Sequence, residues 1–455
     1  MFNRKYTKIN LKYAWFALAI LSSLNLLNYA DRNVFNALMQ PIKINFGFTD
    51  FQLGLLASAF LFVYAIAAYP LARIADRGLR KWVLVTGVFI WSFSTFLTGT
   101  ASSFSQLFIY RSVLGIGEAS YATTLAPLLS DYFPLSLRST ALGIANAPLG
   151  IGTGLGYYIA GISHHVFGGW RKAFYIVGVP GVILGFITLF LREPVMGLGD
   201  QTSKQENNAQ EKDLQWQNDP GQIKLKETGA LENQNDIEVI SQQNIFVKLG
   251  ILFQTKTLLW LFVSSIFLTF SLGGMLVWLT PFLQRYFGFS NSSAAIDAAT
   301  AAGIGSLIGV FLGGISADWW SKVSENAPIW VVIIGFFLSA FFAYGAVISK
   351  TKHEVLWCIG GGAFFQMATN GPILAAMMNV TPPNLRATCN AIYLFLIHFL
   401  GDAFSPTVIG YISTHYHDLR LALYFMPFLT FISALLAGGA LLTYAKEKHK
   451  ILKII

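Results

Sequence analysis

The chain has 455 residues, of which 54% are hydrophobic and 12% charged, with a net charge of +9. A soluble domain carries about a quarter charged residues, so this composition excludes an ordinary soluble protein and points to repeated membrane crossing. Cys358 and Cys389 lie in or near apolar runs without metal-ligand spacing, so neither a disulfide framework nor a metal site is expected.

Helix-length apolar windows, each sufficient for the roughly 30 Å hydrocarbon core, predict twelve spans: 13–38, 50–72, 81–102, 104–133, 139–163 and 173–191, then 257–284, 292–317, 328–349, 354–380, 387–413 and 420–445. The first span is too long for the apolar segment of a signal peptide and is read as structure. Residues 196–244 are rich in Gln, Asn, Glu and Lys and are read as a solvated linker. The expected architecture is therefore an all-α membrane protein of two six-helix bundles. Its segments are a tail (1–12), a first bundle (13–191), a linker (192–256), a second bundle (257–445) and a second tail (446–455). With both termini in the cytoplasm, most of the 31 Lys and Arg fall inside, and only Lys43, Arg171, Lys172, Lys350, Lys352 and Arg420 fall outside. That is the positive-inside pattern. The basic residues are dispersed over loops, so no nucleic-acid partner is expected.

The two halves repeat. "LARIADRGLRK" (71–81) and "GGISADWWSK" (313–322) follow the second and eighth spans, matching Asp76 with Asp318; "PLSLRSTALG" (134–143) and "PPNLRATCNA" (382–391) follow the fourth and tenth, matching Arg138 with Arg386. At such turns a carboxylate or guanidinium can bridge helix ends. Repeated halves are the architecture of alternating-access transporters.

Residues 72–81 resemble the loop motif of the major facilitator superfamily, with Ala72 for its first Gly and Gly78–Leu79 in swapped order, while Asp76, Arg77, Arg80 and Lys81 are kept. "NYADR" (28–32), "RSVLGIGEASYATTLAPLLSDYFP" (111–134), "GLGYYIAG" (154–161) and above all "HFLGDAFSPTVIGYIS" (398–413) are similar to the spinster-type lipid transporters. The resemblance implies proton-coupled movement of a lysophospholipid or sphingoid-type lipid, with Asp31 and Glu118 as coupling acids. It also implies a gating role for Asp76, Arg77, Arg80, Lys81, Asp131, Arg138, Asp318 and Arg386.

A charge at mid-bilayer costs about 3 kcal/mol or more, so it faces a cavity or a partner. The embedded charges of the first half are Asp31, Arg32, Arg111 and Glu118, two acids and two bases. Asp31 and Arg32 point about 100° apart on a helix, and Arg111 and Glu118 lie about 10 Å apart along one; each therefore needs a partner on another helix. Burial disfavours an ionised carboxylate and a nearby guanidinium favours it, so a change of conformation that swaps the two environments moves a proton. Arg32 and Arg111, with Asn28 and Tyr121, are candidates to hold an anionic headgroup, and Asn25 shares the face of Asn28 and Arg32 on the first helix. In the second half His398 and Asp402 lie one turn apart, followed by Ser405, and form a candidate polar patch. "ANAPLGIGTGLGYYIAG" (145–161) carries Pro148 and small residues suited to close helix contact. No H-E-x-x-H, nucleotide-binding Gly loop or serine–histidine set is present. A non-enzyme without cofactor is expected, driven by a proton gradient. The expected setting is the cell inner (plasma) membrane, among membrane lipids and as a monomer. An organic-anion transporter of the same superfamily and a non-transporting lipid sensor are the alternatives.

Overall fold

Lipid offers no hydrogen bonds to the backbone, so apolar spans satisfy their N–H and C=O groups internally as helix. The computed structural model describes residues 5–6, 10–196, 198–199, 245–382 and 385–452. The predicted linker, 196–244, lies almost entirely outside the described residues. Six spans of the first half become α1 (Leu11–Phe46), α2 (Asp50–Ile74), α3 (Arg80–Thr100), α4 (Phe104–Tyr132), α5 with α6 (Leu135–Asn146 and Pro148–Phe167) and α7 (Arg171–Leu189). After a short α8 (Ile245–Gln254) come α9 (Lys256–Phe287), α10 (Asn291–Ser321), α11 (Ala327–Ile348), α12 with α13 (Lys352–Ala368 and Asn370–Asn379), α14 with α15 (Arg386–Leu396 and Ser405–Tyr416), α16 (Leu419–Gly439) and α17 (Tyr444–Leu452). All twelve predicted windows are thus occupied by helix.

Starts and stops follow local chemistry. Asn10, Ser103 and Ser290 accept backbone N–H groups at the starts of α1, α4 and α10, and Thr351 with Glu354 forms a capping box on α12. Gly47 and Gly288 end α1 and α9 in the left-handed region, at φ 69° and 62°. Among the described residues, eight helices are long and apolar enough to cross a membrane unaided. The spans that fall short are α1 and α4, which carry embedded charges, and the interrupted pairs α5–α6 and α12–α13. The fifth span of each half is broken before a proline. Pro148 opens α6, while the eleventh span passes through π-helical Ile397–Asp402 before Pro406 near the start of α15. Proline fits the first helical turn and disrupts an interior one, which explains both sites.

The chain divides into two compact units, Met1–Phe48 with Leu55–Ile223 and Thr49–Gly54 with Lys224–Ile455. In the first, Gly152 and Gly156 bring α6 onto the backbone of α1; an added Cβ would lie 2.4 Å from the carbonyls of Leu26 and Ala30 respectively. This is the close contact expected from small residues four apart, and it braces α1 beside Asp31. In the second, Gly305, Gly309 and Gly313 on α10 face the carbonyls of Gly360, Phe364 and Ala368 on α12 in the same fashion. Each unit has its own apolar core, including Leu21, Trp91 and Tyr132 in one and Phe262, Phe336 and Tyr444 in the other. Strand β1 (Lys5–Tyr6) pairs in parallel with β2 (Glu193–Pro194).

Candidate functional site

Four helices of the first unit bring the predicted charges together. Arg32 on α1 reaches Glu118 on α4, with Nη2 donating to Oε2 at 2.6 Å and Nε to the same oxygen at 3.2 Å. The Glu118 side chain is fully buried and that of Arg32 is 23% exposed. Asn28, one turn before Arg32, faces the same carboxylate. Asp31 accepts a 2.7 Å hydrogen bond from Thr95 on α3 and keeps Oδ1 unpartnered among the described residues. Arg111 on α4 is buried beside Phe35 and Phe60, its guanidinium carbon 4.1 and 4.9 Å from their ring centroids. Arg32 sits 4.9 Å from that same Phe60 ring and within 5.4 Å of Tyr29 and Tyr64. One aromatic ring thus serves two guanidiniums, and each such contact is worth about 0.5–2 kcal/mol. Glu118 and Asp31 supply the negative field at Arg111. The cluster balances two positive and two negative charges in a buried site, with one exposed edge at Arg32.

Other candidates occupy different surroundings. Tyr121 is buried in the core, its ring edge-on to Trp91 at 6.0 Å and its hydroxyl donated to the Leu21 carbonyl at 2.9 Å. Asn25 donates to the Ala145 carbonyl at 2.7 Å, tying α1 to α5 and leaving only Asn28 to extend the charged network. In the second unit His398 Nδ1 and Asp402 Oδ2 are 2.9 Å apart across the π-helical turn. Ser405 donates to the Asp402 carbonyl. The wider turn is a frequent mark of functional sites.

The Major Facilitator Superfamily profile matches residues 21–406. The chain belongs to the major facilitator superfamily. Protein spinster of Drosophila melanogaster is 25% identical over 414 residues, 88% of this chain and 62% of that protein, so the chain spans less than two thirds of that relative. Sphingosine-1-phosphate transporter SPNS2 of Xenopus tropicalis is 27% identical over 467 aligned residues, 96% of this chain and 83% of that one. A crystal structure of a bacterial homologue of the human lysosomal transporter spinster, inward-facing and occupied, matches with TM-score 0.78 at 23% identity over 96% of this chain and 98% of that chain. The nucleoside transporter NupG matches with TM-score 0.66 at 15% identity over 93% and 99%. Both structures share the superfamily fold, and the protein is a multi-pass membrane protein resembling the spinster-type members.

The superfamily loop motif can now be placed. Arg80, the first residue of α3, pairs with Asp131 in the last turn of α4 and donates to the Pro194 carbonyl at 2.9 Å. Antiparallel α3 and α4 bring Arg80 directly to Asp131. The side chains of Arg138 and Asp76 lie outside the described residues. Arg77 and Asp318 are exposed, Lys81 is buried beside the Trp82 ring, and Arg386 donates to the Met378 carbonyl. Thr95 was not anticipated, since a lone threonine in an apolar span gives no signal. Nor was the trio in the second unit where Asp50 takes both terminal nitrogens of Arg285, at 2.8 and 2.6 Å, and the Ser413 hydroxyl at 2.6 Å.

Proposed function

We propose that the protein is a proton-coupled secondary transporter of lysophospholipids or sphingoid-type lipids, working by alternating access. The observation that carries this reading is the buried cluster of Asp31, Arg32, Arg111 and Glu118, which joins titratable acids to guanidiniums suited to an anionic headgroup. Arg32 spends two donors on one oxygen of Glu118. Protonating Glu118 weakens that grip and frees Arg32 for phosphate, which a guanidinium binds through paired N–H donors. Proton and lipid anion are thereby linked through one arginine, with Asp31 as the second acid facing Arg111. The relatives described as spinster and sphingosine-1-phosphate transporters support the substrate class, and His398 with Asp402 adds a polar patch for it in the second unit. The loop residues Asp76, Arg77, Arg80, Lys81, Asp131, Arg138, Asp318 and Arg386 serve as the cytoplasmic gate. The distribution of Lys and Arg supports cytoplasmic termini, and the reading places the protein in the plasma membrane as a monomer.

The test uses the full chain in liposomes with an imposed pH gradient and a labelled lysophospholipid, comparing wild type with Asp31→Asn and Glu118→Gln. Gradient-driven flux in the wild type, abolished in either variant with lipid binding retained, is the expected result. Flux of an organic anion instead of lipid overturns the substrate, and lipid binding without any flux turns the reading to a sensor.

A further inference from the structure

Helix α1 carries five asparagines, and four of them have a partner on the first unit. Asn25 donates to the Ala145 carbonyl, and Asn28 bonds to the Glu118 carboxylate. Asn33 donates to the Tyr29 carbonyl at 2.8 Å, and Asn45 accepts from Trp170 and Arg171 at 3.2 and 3.0 Å. Asn36 is the exception. It is only 8% exposed and has no hydrogen-bond partner among the described residues. A buried polar group left unpaired has given up its bonds to water for nothing, which is destabilising. The fold does not demand an amide there. Counting from the matched helix ends Gly47 and Gly288, Asn36 falls on Val277 of α9, an aliphatic residue 6% exposed in the second unit.

The neighbours of Asn36 say what the amide is for. Helices α1 and α4 run antiparallel, since Arg32 meets Glu118 and Phe35 meets Arg111. Arg111 lies about 10 Å along α4 from Glu118, and Asn36 about 6 Å along α1 from Arg32 in the same direction. Asn36 is therefore level with the gap between the two guanidiniums. It is one turn on from Arg32 and about 40° round the helix, so both side chains leave α1 on one face. Its amide combines a carbonyl acceptor with N–H donors. Next to a guanidinium that takes a phosphate, such a group suits a hydroxyl or an amine a short way along the ligand. In a lysophospholipid the carbon beside the phosphate-bearing one carries a free hydroxyl, and in a sphingoid phosphate it carries an amine. A fully acylated phospholipid has an ester in that place, which offers no donor.

We propose that Asn36 contacts the substrate and selects phosphorylated single-chain lipids with a free hydroxyl or amine beside the phosphate-bearing carbon. The proposal rests on the transport reading and adds the feature by which the site tells such lipids from fully acylated ones. With the phosphate on Arg32, the adjacent hydroxyl or amine donates to Asn36 Oδ1. The amide is unpaired without substrate and satisfied with it, so it contributes to recognition at the expense of stability. A trapped water is the rival occupant. Water gives the amide a partner but no preference among lipids.

The test measures binding to the full chain in detergent micelles, by displacement of a fluorescent lysophosphatidate. The competitors are oleoyl lysophosphatidate and its deoxy analogue, which has hydrogen in place of the free hydroxyl. Wild type is expected to bind lysophosphatidate about tenfold more tightly than the analogue, as one hydrogen bond to a waiting acceptor allows. In Asn36→Ala the two affinities are expected to become equal, with the analogue bound at least as tightly as by wild type. A merely structural asparagine lowers both affinities alike and leaves their ratio unchanged, which overturns the proposal. Equal affinities in the wild type also overturn it, whether or not Asn36→Ala folds. Flux of lysophosphatidate in liposomes is measured alongside. Flux with equal affinities leaves transport and removes Asn36 from recognition. A preference lost in Asn36→Ala but unaccompanied by flux leaves the contact and removes transport, and absence of lysophosphatidate binding overturns both.

Discussion

Glu118 and Arg32 form the one directly bonded ion pair of the charged cluster among the described residues, and their unequal burial makes a graded prediction. Glu118→Gln removes one carboxylate and leaves Arg32 and Arg111 facing Asp31 alone. Removing one partner of a buried pair costs about 3–5 kcal/mol. The Arg32 side chain keeps 23% exposure and three ring faces, so the stranded guanidinium retains some solvent and π contact. The loss for Glu118→Gln therefore falls near the lower figure, about 3 kcal/mol. Arg32→Gln strands a carboxylate with no exposed surface and falls nearer the upper one, about 4–5 kcal/mol. The double variant removes both charges and regains part of each penalty, giving a coupling energy of about 2–3 kcal/mol. Hydrogen bonds between neutral groups in membranes couple by only about 0.6 kcal/mol on average, so a value above that range reports the charges. Unfolding of the four proteins in nanodiscs, followed by tryptophan fluorescence, measures the cycle. Additivity within about 0.5 kcal/mol, or a Glu118→Gln variant as stable as wild type, would refute the reasoning.

Thr95→Val removes the hydroxyl that donates to Asp31 and is expected to cost about 1–3 kcal/mol; the same change in an Asp31→Asn background should cost less, and equal losses would show that Thr95 acts by packing. Gly156→Ala places a Cβ 2.4 Å from the Ala30 carbonyl and is expected to destabilise by about 1–3 kcal/mol. Gly154→Ala, with nothing within 4 Å, should be neutral or slightly stabilising, and the difference in melting temperature between the two tests the α1–α6 contact. Asp50→Asn is expected to lower stability by about 1.5–3 kcal/mol through loss of its paired bonds to Arg285. Arg285→Lys should fail to preserve them, because an ammonium cannot match the two-pronged geometry; full stability of that variant would show that charge alone suffices.

The twelve spans were legible because the signal is local: apolar runs have a length fixed by the bilayer. Their ends were less so, since the first apolar window ends at residue 38 whereas α1 runs on to Phe46, where Gly47 stops it. The charged cluster was legible as a set, since embedded charges are conspicuous against 12% overall, and the need for partners on other helices followed from sequence, but no particular pair did. Asp31–Thr95 and the ring contacts of Arg111 depend on how α2, α3 and α4 rotate, which apolar periodicity in a membrane does not report, because lipid-facing and packed residues are alike in composition. The Arg80–Asp131 pair was hidden for a related reason: the two residues lie 51 apart in sequence, and only the antiparallel approach of α3 and α4 brings them together. Tyr121 illustrates the converse, a residue in a suggestive string whose hydroxyl is consumed by a backbone carbonyl.

The repeat adds something that neither half displays alone. Matching turns such as Arg138 and Arg386 stay alike because both halves need the same cytoplasmic ends, while the positions between them diverge completely. Counting from Gly47 and Gly288 puts Leu272 and Gly273 where Asp31 and Arg32 stand, and counting from Arg138 and Arg386 puts Ile359 and Gln366 where Arg111 and Glu118 stand, so the costly embedded charges are absent from these positions of the second half. Gln366 keeps the shape of Glu118 without its proton. The titratable cluster therefore has no counterpart at the matching positions of the second unit. On the transport reading proposed above, pH dependence is expected to arise at Asp31 or Glu118.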